Sequence, residues 1–294
     1  MTLTPNDRPT LRFALDAAEK VLAEGPHAGR ARRDTETLLL CALRRDAPEA
    51  NPAWLIAHAS DVLAPDAAAA FCNLIERRLK GEPIQYITGE VEFFGLPFHV
   101  NREVLIPRPE TELLVEKAVE LAPLFRGPRV LDVGTGSCAI AVAIAHELPG
   151  ASVTAIDISA AALAQARANA ERNGVAHRLR FLEGDLLAPV AGEQFDLVVS
   201  NPPYVAERDR GALDVEVRDY EPAQALFAGE EGLAIYRRLF PAAFTALAAG
   251  GVLLVEIGYG QREAIQALLE QSGFAAIEFF RDLQGIDRVA IARR

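Results

Sequence analysis

Apolar residues recur at helical spacing through the first 80 positions. Two sets share this spacing: Leu11, Leu15, Ala18 and Leu22, then Leu38, Leu39, Ala42 and Leu43. One apolar stripe per helix predicts helices that pack against each other. Asp34 precedes the second set and is a candidate N-cap, with Thr37 three positions on. A third helix is predicted over residues 67–80, ended by Gly81 and Pro83.

Residues 81–107 have a different composition. The segments 85–89 and 91–100 are aromatic and β-branched, and glycines interrupt them. This pattern predicts a β-hairpin. We therefore expect a helical domain over 1–82, a hairpin linker over 83–106, and a third region over 107–294.

Strands and helices alternate from Arg129 onward. The predicted strands are 129–133, 152–156, 179–182, 195–200, 252–257, 274–280 and 288–292. The predicted helices are 139–147, 160–173, 233–249 and 261–271. Near-continuous apolar strands separated by helices predict an α/β fold with a mostly parallel, doubly wound sheet of seven strands. Only a short connection joins the last two strands, so we expect that pair to be antiparallel.

Charge is unevenly distributed along the chain. The net charge is -11, from 41 acidic and 30 basic residues. Residues 86–294 carry -10 of it, which argues weakly against a catalytic region built to bind nucleic-acid phosphates. The arginines cluster in the first part, where they form either solvated helix faces or a docking surface: Arg30, Arg32, Arg33, Arg44, Arg45, Arg77 and Arg78.

Metal sites, export and membrane insertion are not expected. Cys41, Cys72 and Cys138 are widely spaced, and the five histidines form no zinc motif. The first ten residues have no signal-peptide layout, and no apolar run approaches the ~18 residues that span a bilayer. We expect a cytoplasmic protein without a metal.

A glycine turn follows the first strand of the alternating region and precedes a helix: Gly134, Thr135, Gly136, Ser137 and Cys138. Glycines there permit a tight turn and close backbone approach to a ligand. Asp132 lies within the strand, and the third glycine of a dinucleotide fingerprint is absent. These two details favour a nucleoside cofactor without a pyrophosphate over a dinucleotide. A merely tight strand–helix turn is the alternative.

Acidic residues end the next two strands. Asp157 follows the glycine turn by about twenty residues, where a carboxylate accepts hydrogen bonds from both ribose hydroxyls. Asp185 ends the third strand and can accept from an adenine amino group, while Leu186 covers a ring face. The alternatives are a helix cap for Asp157 and a turn residue for Asp185.

The most specific motif follows the strand at 195–200: Asn201, Pro202, Pro203 and Tyr204. Two prolines hold the backbone and lack N–H groups, so carbonyls are presented rigidly. The Asn201 side-chain oxygen and the Pro202 carbonyl can both accept from one planar NH2 group, on which Tyr204 can stack. A planar amide or a base amine fits this arrangement.

With these motifs, the chain resembles the peptide chain release factor glutamine methyltransferases (HemK-like), which are Rossmann-like class I S-adenosylmethionine-dependent enzymes. The resemblance covers nearly the whole chain and includes further segments: 81–84 (GEPI), 95–98 (GLPF), 105–112 (LIPRPETE), 220–222 (YEP) and 281–289 (RDLQGIDRV).

The resemblance implies methyl transfer from S-adenosylmethionine to the side-chain amide nitrogen of the glutamine in a Gly-Gly-Gln motif, leaving S-adenosylhomocysteine. Residues 201–204 would hold that glutamine, and the N-terminal helices would recognise the release factor. The cofactor contacts would be residues 134–138, Asp157, Asp185, Leu186 and Asn201, with Arg108 and Glu112 near the pocket. No nucleic acid or membrane partner is implied, and a monomer is expected.

One position departs from the family pattern. Cys138 occupies a place that is usually glycine, which matters if the backbone there has a positive φ.

Two alternative substrates stay open. They are a glutamine of a ribosomal protein and, in a different class, a base amine of DNA or RNA, since Asn-Pro-Pro-Tyr also binds flipped bases. No basic or acidic side chain lies within residues 201–204. We therefore expect catalysis by orientation and electrostatics.

Overall fold

The computed structural model describes residues 9–44 and 46–294. The first eight residues, which belong to the segment without a signal-peptide layout, and Arg45 of the arginine clusters lie outside the described residues. The chain forms two compact units. The first comprises residues up to Gly89 together with the segment Asp214–Tyr220, and the second comprises Glu90–Leu213 and Glu221–Arg294.

The α-helices and strands follow in chain order. The helices are α1 Leu11–Leu22, α2 Ala31–Leu43, α3 Pro52–Ala57, α4 Pro65–Leu79, α5 Ile84–Thr88, α6 Glu112–Leu121, α7 Ala139–Glu147, α8 Ala160–Arg172, α9 Val215–Arg218, α10 Ala223–Leu226, α11 Ala234–Ala246 and α12 Arg262–Gln271. The strands are β1 Glu90–Phe93, β2 Leu96–His99, β3 Arg129–Val133, β4 Ser152–Asp157, β5 Leu179–Glu183, β6 Phe195–Ser200, β7 Leu247–Glu256, β8 Ala275–Arg281 and β9 Asp287–Arg293. Among the described helices, none is both long and apolar enough to cross a bilayer.

The first unit is a helical bundle, as predicted. The apolar stripe of α1 is buried and packs with the stripes of α2 and α4, around Leu38, Leu39 and Phe71. The prediction that Asp34 caps α2 is wrong, because the helix begins at Ala31 and Asp34 lies inside it, buried. Its carboxylate instead accepts from Nε of Arg78 at 2.6 Å.

For Arg78, both interpretations of the arginine clusters, a solvated helix face and a docking surface, are wrong. It is fully buried, whereas a solvated face or a docking surface needs an exposed side chain. Its Nη1 donates to Oε2 of Glu216 at 3.0 Å, so the guanidinium joins α2, α4 and the segment 214–220 within the first unit. A buried charge of this kind is tolerated because its partners are charged and hydrogen-bonded.

The second unit contains the sheet. The described strands form a seven-stranded sheet in the order β5-β4-β3-β6-β7-β9-β8, and β1 pairs with β2 as a separate hairpin. Strands β3 to β7 are parallel, while β9 runs antiparallel to both β7 and β8. This confirms the predicted fold class, including the antiparallel last pair.

Two predicted elements differ from the structure. Residues 85–88 lie in helix α5 and not in a hairpin strand: Pro83 precedes this short helix and Gly89 ends it with φ 78°. Residues 247–249, predicted as the end of a helix, begin β7, because buried Leu247 pairs with Phe195 of β6. The hairpin itself is shorter than predicted and uses only β1 and β2.

The order of the strands determines where a ligand binds. The chain proceeds outward from β3 to β4 and β5, then returns to place β6 on the other side of β3. Such a reversal opens a crevice at the carboxyl ends of the strands. Buried apolar clusters cover both faces of the sheet, so this edge is the part left for a site.

Candidate active site

A cavity of about 280 Å³ lies at the carboxyl edge of the sheet in the second unit. Most of the predicted site residues line it: Arg108, Gly134, Thr135, Gly136, Ser137, Asp157, Asp185, Leu186, Asn201, Pro202 and Pro203. Glu112, Cys138 and Tyr204 are not among its lining residues. The structure thus brings together distant parts of the chain, since Arg108 and Pro203 are 95 positions apart.

The glycine turn leaves open space beside the cavity. Gly134 and Gly136 have φ values of 75° and 52°, and a Cβ placed on either would meet no atom within 4 Å. The N–H groups of Gly134 and Thr135 both donate to the Ile156 carbonyl at 2.9 Å, which ties the turn to the end of β4. The turn is therefore rigid and able to accept a closely approaching ligand.

Asp157 has a fixed orientation at the end of β4. Its Oδ2 accepts from the Gly136 N–H at 2.8 Å, and its Oδ1 accepts from the Ser159 N–H at 2.9 Å. Each carboxylate oxygen has a further lone pair. The group can therefore hold its backbone partners and still accept from two neighbouring hydroxyls.

Asp132 is buried beneath the turn. Its Oδ2 accepts from the Thr135 hydroxyl at 2.6 Å. Burial raises the pKa of this carboxyl to about 7, and the nearby charge of Asp157 adds to the effect, although the Thr135 hydrogen bond opposes it. Its side chain stabilises the turn from within the sheet.

Cys138 has a positive φ, the backbone conformation in which glycine is favoured over other residues. Its φ is 69°, in the left-handed region, at the start of α7. The residue is fully buried, and burial raises the pKa of its thiol. The thiol is therefore protonated, and its backbone rather than its sulfur belongs to the turn.

Asp185 and Leu186 also line the cavity. The Asp185 carboxylate accepts a hydrogen bond from the Arg238 guanidinium, and both side chains are about half exposed, at 47% and 55%. Leu186 has φ 50°, a strained value for a branched side chain. The strained backbone presents Leu186 at the cavity wall.

Arg108 lies at the cavity, whereas Glu112 does not. Arg108 lines the cavity and donates to buried Glu221, whose other oxygen accepts from the Ile106 N–H at 3.4 Å. Glu112 instead accepts from the Phe94 N–H at 2.8 Å, where it begins α6. Its carboxylate thus supports the β1–β2 hairpin.

The Asn-Pro-Pro-Tyr motif directly follows β6. The Ser200 hydroxyl donates to the Val133 carbonyl at 2.7 Å and so joins the ends of β6 and β3. Nδ2 of Asn201 donates to Oγ1 of Thr111 at 3.1 Å, so its Oδ1 is the atom left for a ligand. Within the described part of the chain, no donor bonds to the Pro202 carbonyl. Two consecutive residues that line the cavity thus each have an available acceptor.

Thr111 and Glu256 complete this region and were missed from the sequence. The Thr111 hydroxyl donates to Oε2 of Glu256 at 2.6 Å, and the Tyr204 hydroxyl donates to Oε1 at 3.3 Å. Burial raises the pKa of Glu256 to about 7, which the Thr111 hydrogen bond and the charge of Arg288 oppose. A single acid in the apolar strand 252–257 was the available signal.

The side-chain amides of Asn169 and Gln261 hydrogen-bond the backbone of site residues, and neither contact was predicted. Asn169 of α8 donates to the Ser137 carbonyl at 2.9 Å and also bonds the backbone of His99. Gln261 donates to the Tyr204 carbonyl at 3.1 Å and accepts from the Gly258 N–H. Such contacts join residues far apart in sequence, so no local pattern announces them.

One cluster in the first unit has the composition of a metal site. Ligand atoms of His27, Asp214 and Glu216 lie within 4.8 Å of one another. The Glu216 oxygens are already paired with Arg30 and Arg78, each at 3.0 Å. This cluster includes none of the residues that line the cavity.

The residues of the cavity fit S-adenosylmethionine. The open space beside Gly134 and Gly136, the oriented Asp157 carboxylate and the apolar wall at Leu186 match the needs of a ribose with two hydroxyls and a flat base. The acceptors at Asn201 and Pro202 border the same cavity.

Two family models match parts of the chain. Residues 109–217 match the model described as methyltransferase small domain, and residues 14–89 match the PrmC N-terminal domain. Fold, site and matched domain together define a Rossmann-like methyltransferase.

Curated relatives show to which family of methyltransferases the chain belongs. The chain is 44% identical over 284 residues to the release factor glutamine methyltransferase of Geobacter sulfurreducens, covering 97% of this chain and 96% of the relative. It is 42% identical over 286 residues to that of Koribacter versatilis, covering 97% and 99%. The chain therefore belongs to the release factor glutamine methyltransferase family.

Solved structures share the fold. A methyltransferase from Pyrococcus furiosus matches with a TM-score of 0.51 and 21% identity, over 68% of this chain and 90% of that one. The T. thermophilus 16S rRNA N2 G1207 methyltransferase matches with a TM-score of 0.54 and 22% identity, over 70% and 49%. At these identities the similarity concerns the architecture of the sheet.

Proposed function

We propose that this protein transfers a methyl group from S-adenosylmethionine to the side-chain amide nitrogen of the glutamine in the Gly-Gly-Gln motif of class-one peptide chain release factors. The C–S bond of the sulfonium breaks as the C–N bond forms, and the products are the N-methylated glutamine, S-adenosylhomocysteine and one proton, which the nitrogen releases to solvent. The observation that carries the proposal is the orientation of Asn201: its NH2 group bonds to Thr111, which turns its oxygen toward an incoming NH2 donor.

The substrate amide is held by two acceptors. Asn201 Oδ1 and the Pro202 carbonyl each accept one of its N–H bonds, while the prolines keep the backbone in place. Binding both protons fixes the plane of the amide. The face of the nitrogen then points into the cavity in which residues 134–137 and Asp157 would hold the cofactor.

Bound S-adenosylmethionine supplies a methyl group made electrophilic by the adjacent sulfonium. The chain contributes orientation, which in favourable cases lowers a barrier by ~7–11 kcal/mol. As positive charge builds on the amide nitrogen, its N–H bonds become more acidic, and the two acceptors bind them more tightly. This selective tightening in the transition state provides catalysis without a general base at residues 201–204.

The expected partner is a protein. Residues 86–294 carry -10 of the -11 net charge, which suits a protein substrate better than nucleic-acid phosphate. We propose that the helical first unit recognises the release factor, and that the enzyme acts as a cytoplasmic monomer with no metal in its catalytic site.

Parallel methyl-transfer assays test the substrate. Purified enzyme and methyl-labelled S-adenosylmethionine are offered release factor, ribosomal protein or nucleic acid, and mass spectrometry locates the label. We expect label on the Gly-Gly-Gln glutamine and none on a release factor in which that residue is glutamate. Label confined to ribosomal protein or to nucleic acid would contradict the proposal.

The Asn201→Ala variant tests the site. We expect turnover to fall at least ~100-fold, because the substrate amide loses one of its two acceptors. Calorimetric binding of S-adenosylhomocysteine should change far less. Asn173→Ala is the matched control, since Asn173 bonds the carbonyls of Pro97 and Asn169 at the end of α8, outside the cavity. Equal losses of turnover and cofactor binding in Asn201→Ala would refute the assigned role.

A further inference from the structure

We propose that Glu256 is a positioning residue that sets the orientation of the Asn201 amide through Thr111, so that the enzyme is competent only when Glu256 is ionised. The inference rests on the proposed function, because Asn201 is taken to bind the substrate amide. It assigns a role to a side chain that is buried behind the motif and does not line the cavity.

The hydroxyl of Thr111 connects the two residues. It has one proton, and the ionised Glu256 carboxylate has none to offer, so at 2.6 Å Thr111 must be the donor. Its oxygen is then limited to accepting from Asn201, at 3.1 Å. An amide has donors at one end and an acceptor at the other. Accepting from Nδ2 therefore forces Oδ1 toward the cavity.

Protonation of Glu256 reverses this chain of bonds. A neutral carboxyl group can donate to Thr111, and the Thr111 hydroxyl is then free to donate to Asn201. An Asn201 side chain flipped by 180° would accept that bond and present its NH2 group to the substrate. Two NH2 groups facing each other repel, so the flipped form would not hold the substrate amide.

The groups around Glu256 determine the pKa of its carboxyl group, which lies near neutral pH. The hydroxyls of Thr111 and Tyr204 bond its two oxygens, and the charge of Arg288 favours the ionised form. Burial and the nearby charge of Glu110 oppose it, and the resulting pKa is raised to about 7. Tyr236 faces the same residue but donates to its backbone carbonyl, at 2.9 Å.

Nuclear magnetic resonance reports on the amide directly. In enzyme with labelled asparagine, the side-chain NH2 signals of Asn201 are assigned by their loss in Asn201→Ala. We expect them to shift between pH 5.5 and 8.5 with a midpoint near 7 in the wild type, and to stay constant in Glu256→Gln and in Thr111→Val. Unchanged titration in both variants, or none in the wild type, would overturn the proposal.

Kinetics provide the second measurement. We expect kcat of the wild type to fall as the pH drops below about 7, and Glu256→Gln to lose this acidic limb. Thr111→Val should lower kcat about 10–100-fold with little change in KM for S-adenosylmethionine, and Thr111→Ser should restore most of it. Tyr236→Phe is the control and should keep the acidic limb.

The two proposals fail in different ways. A wild-type enzyme that methylates no release factor refutes the proposed substrate, yet the amide titration can still be measured on the free enzyme. A wild type that methylates release factor while Glu256→Gln retains the same acidic limb refutes the role of Glu256 alone.

Discussion

The carboxylate of Asp157 holds the N–H of Gly136 at 2.8 Å, so the end of β4 and the glycine turn after β3 form one rigid unit. The other oxygen accepts from Ser159 at the start of α8. Ser159 is the N-cap of α8, since its hydroxyl accepts from the Ala162 N–H, so the alternative that Asp157 caps this helix is wrong. Each oxygen of Asp157 keeps a second lone pair for a ligand.

Asp157→Asn should weaken cofactor binding more than it slows chemistry. An asparagine keeps one acceptor oxygen, so one bond from a ribose hydroxyl to a charged partner is lost, for which ~1.5–3 kcal/mol is typical. We expect the Kd for S-adenosylhomocysteine, measured by calorimetry, to rise about 10–100-fold. At saturating cofactor, kcat should fall less than the affinity does.

The same substitution at the other edge of the sheet is the control for Asp157. Asp196 accepts from the Arg129 N–H at 2.8 Å, near the amino end of β6, and does not line the cavity. Asp196→Asn should leave the Kd nearly unchanged. If both variants lose affinity equally, the ribose contact of Asp157 is wrong.

Cys138 lies where glycine is favoured, and a pair of variants isolates that preference. Both Cys138→Ala and Cys138→Gly lose the buried sulfur, but only alanine keeps a Cβ at φ 69°. The left-handed conformation costs an L-residue about 1–2 kcal/mol. We therefore expect the glycine variant to be more stable than the alanine variant by about 1 kcal/mol in urea unfolding followed by circular dichroism.

At an ordinary helical position, glycine should be less stable than alanine, which is the opposite of the order expected at position 138. Ala168 is exposed in the middle of α8, so Ala168→Gly should destabilise the protein by about 0.5–1 kcal/mol. If alanine is equal or superior to glycine at position 138, the backbone strain inferred there does not exist.

The buried charges of the first unit lead to a third prediction. Removing Asp34 leaves Arg78 with one carboxylate partner fewer in a fully buried position. We expect Asp34→Ala to lower the free energy of unfolding by about 3–5 kcal/mol, because the buried guanidinium loses its partner at Nε and keeps Glu216 as its remaining carboxylate. Trp54, the single tryptophan of the chain and a residue of the first unit, allows this transition to be followed by fluorescence.

A surface pair provides the comparison for Asp34. Asp16 lies 3.9 Å from Arg12, and both side chains are largely exposed, so Asp16→Ala should change the stability by less than about 1 kcal/mol. Asp34→Leu combined with Arg78→Met should recover much of the loss, since no unpaired charge remains. A double variant as unstable as Asp34→Ala would show that packing, not charge, determines the effect.

Most of the sheet could be predicted because its strands are apolar on both faces and alternate with helices. The glycine turn, Asp157 and residues 201–204 could be placed together for the same reason: parallel strands bring their carboxyl ends to one edge. Helix α5 was not predicted, since aromatic and β-branched residues favour a strand and only Pro83 and Gly89 mark its ends.

Contacts between distant residues could not be predicted. Asp34 and Arg78 lie 44 positions apart, and Thr111 and Glu256 lie 145 apart. Locally, Asp34 has the features of a helix cap and Glu256 is one acid in an apolar strand. Their roles depend on which side chains face them after folding, which periodicity does not specify.

The pH dependence of stability tests the buried state of Glu256 without any substrate. Its pKa is raised from 4.5 to about 7 in the folded chain, so the folded state binds the proton more tightly than the unfolded state. This favourable contribution is complete below about pH 4.5 and is lost as the pH rises to 7. Above that, the folded protein contains a buried charge.

Glu256→Gln removes that charge, so its stability relative to the wild type should improve between pH 5 and pH 8. The expected change is about 2–3 kcal/mol, from about two pKa units at 1.36 kcal/mol each. Urea unfolding followed by circular dichroism at both pH values measures it. Glu263→Gln, at an exposed position of α12, is the matched control for the substitution itself. A pH-independent difference for Glu256→Gln would mean that Glu256 titrates alike in the folded and unfolded chain.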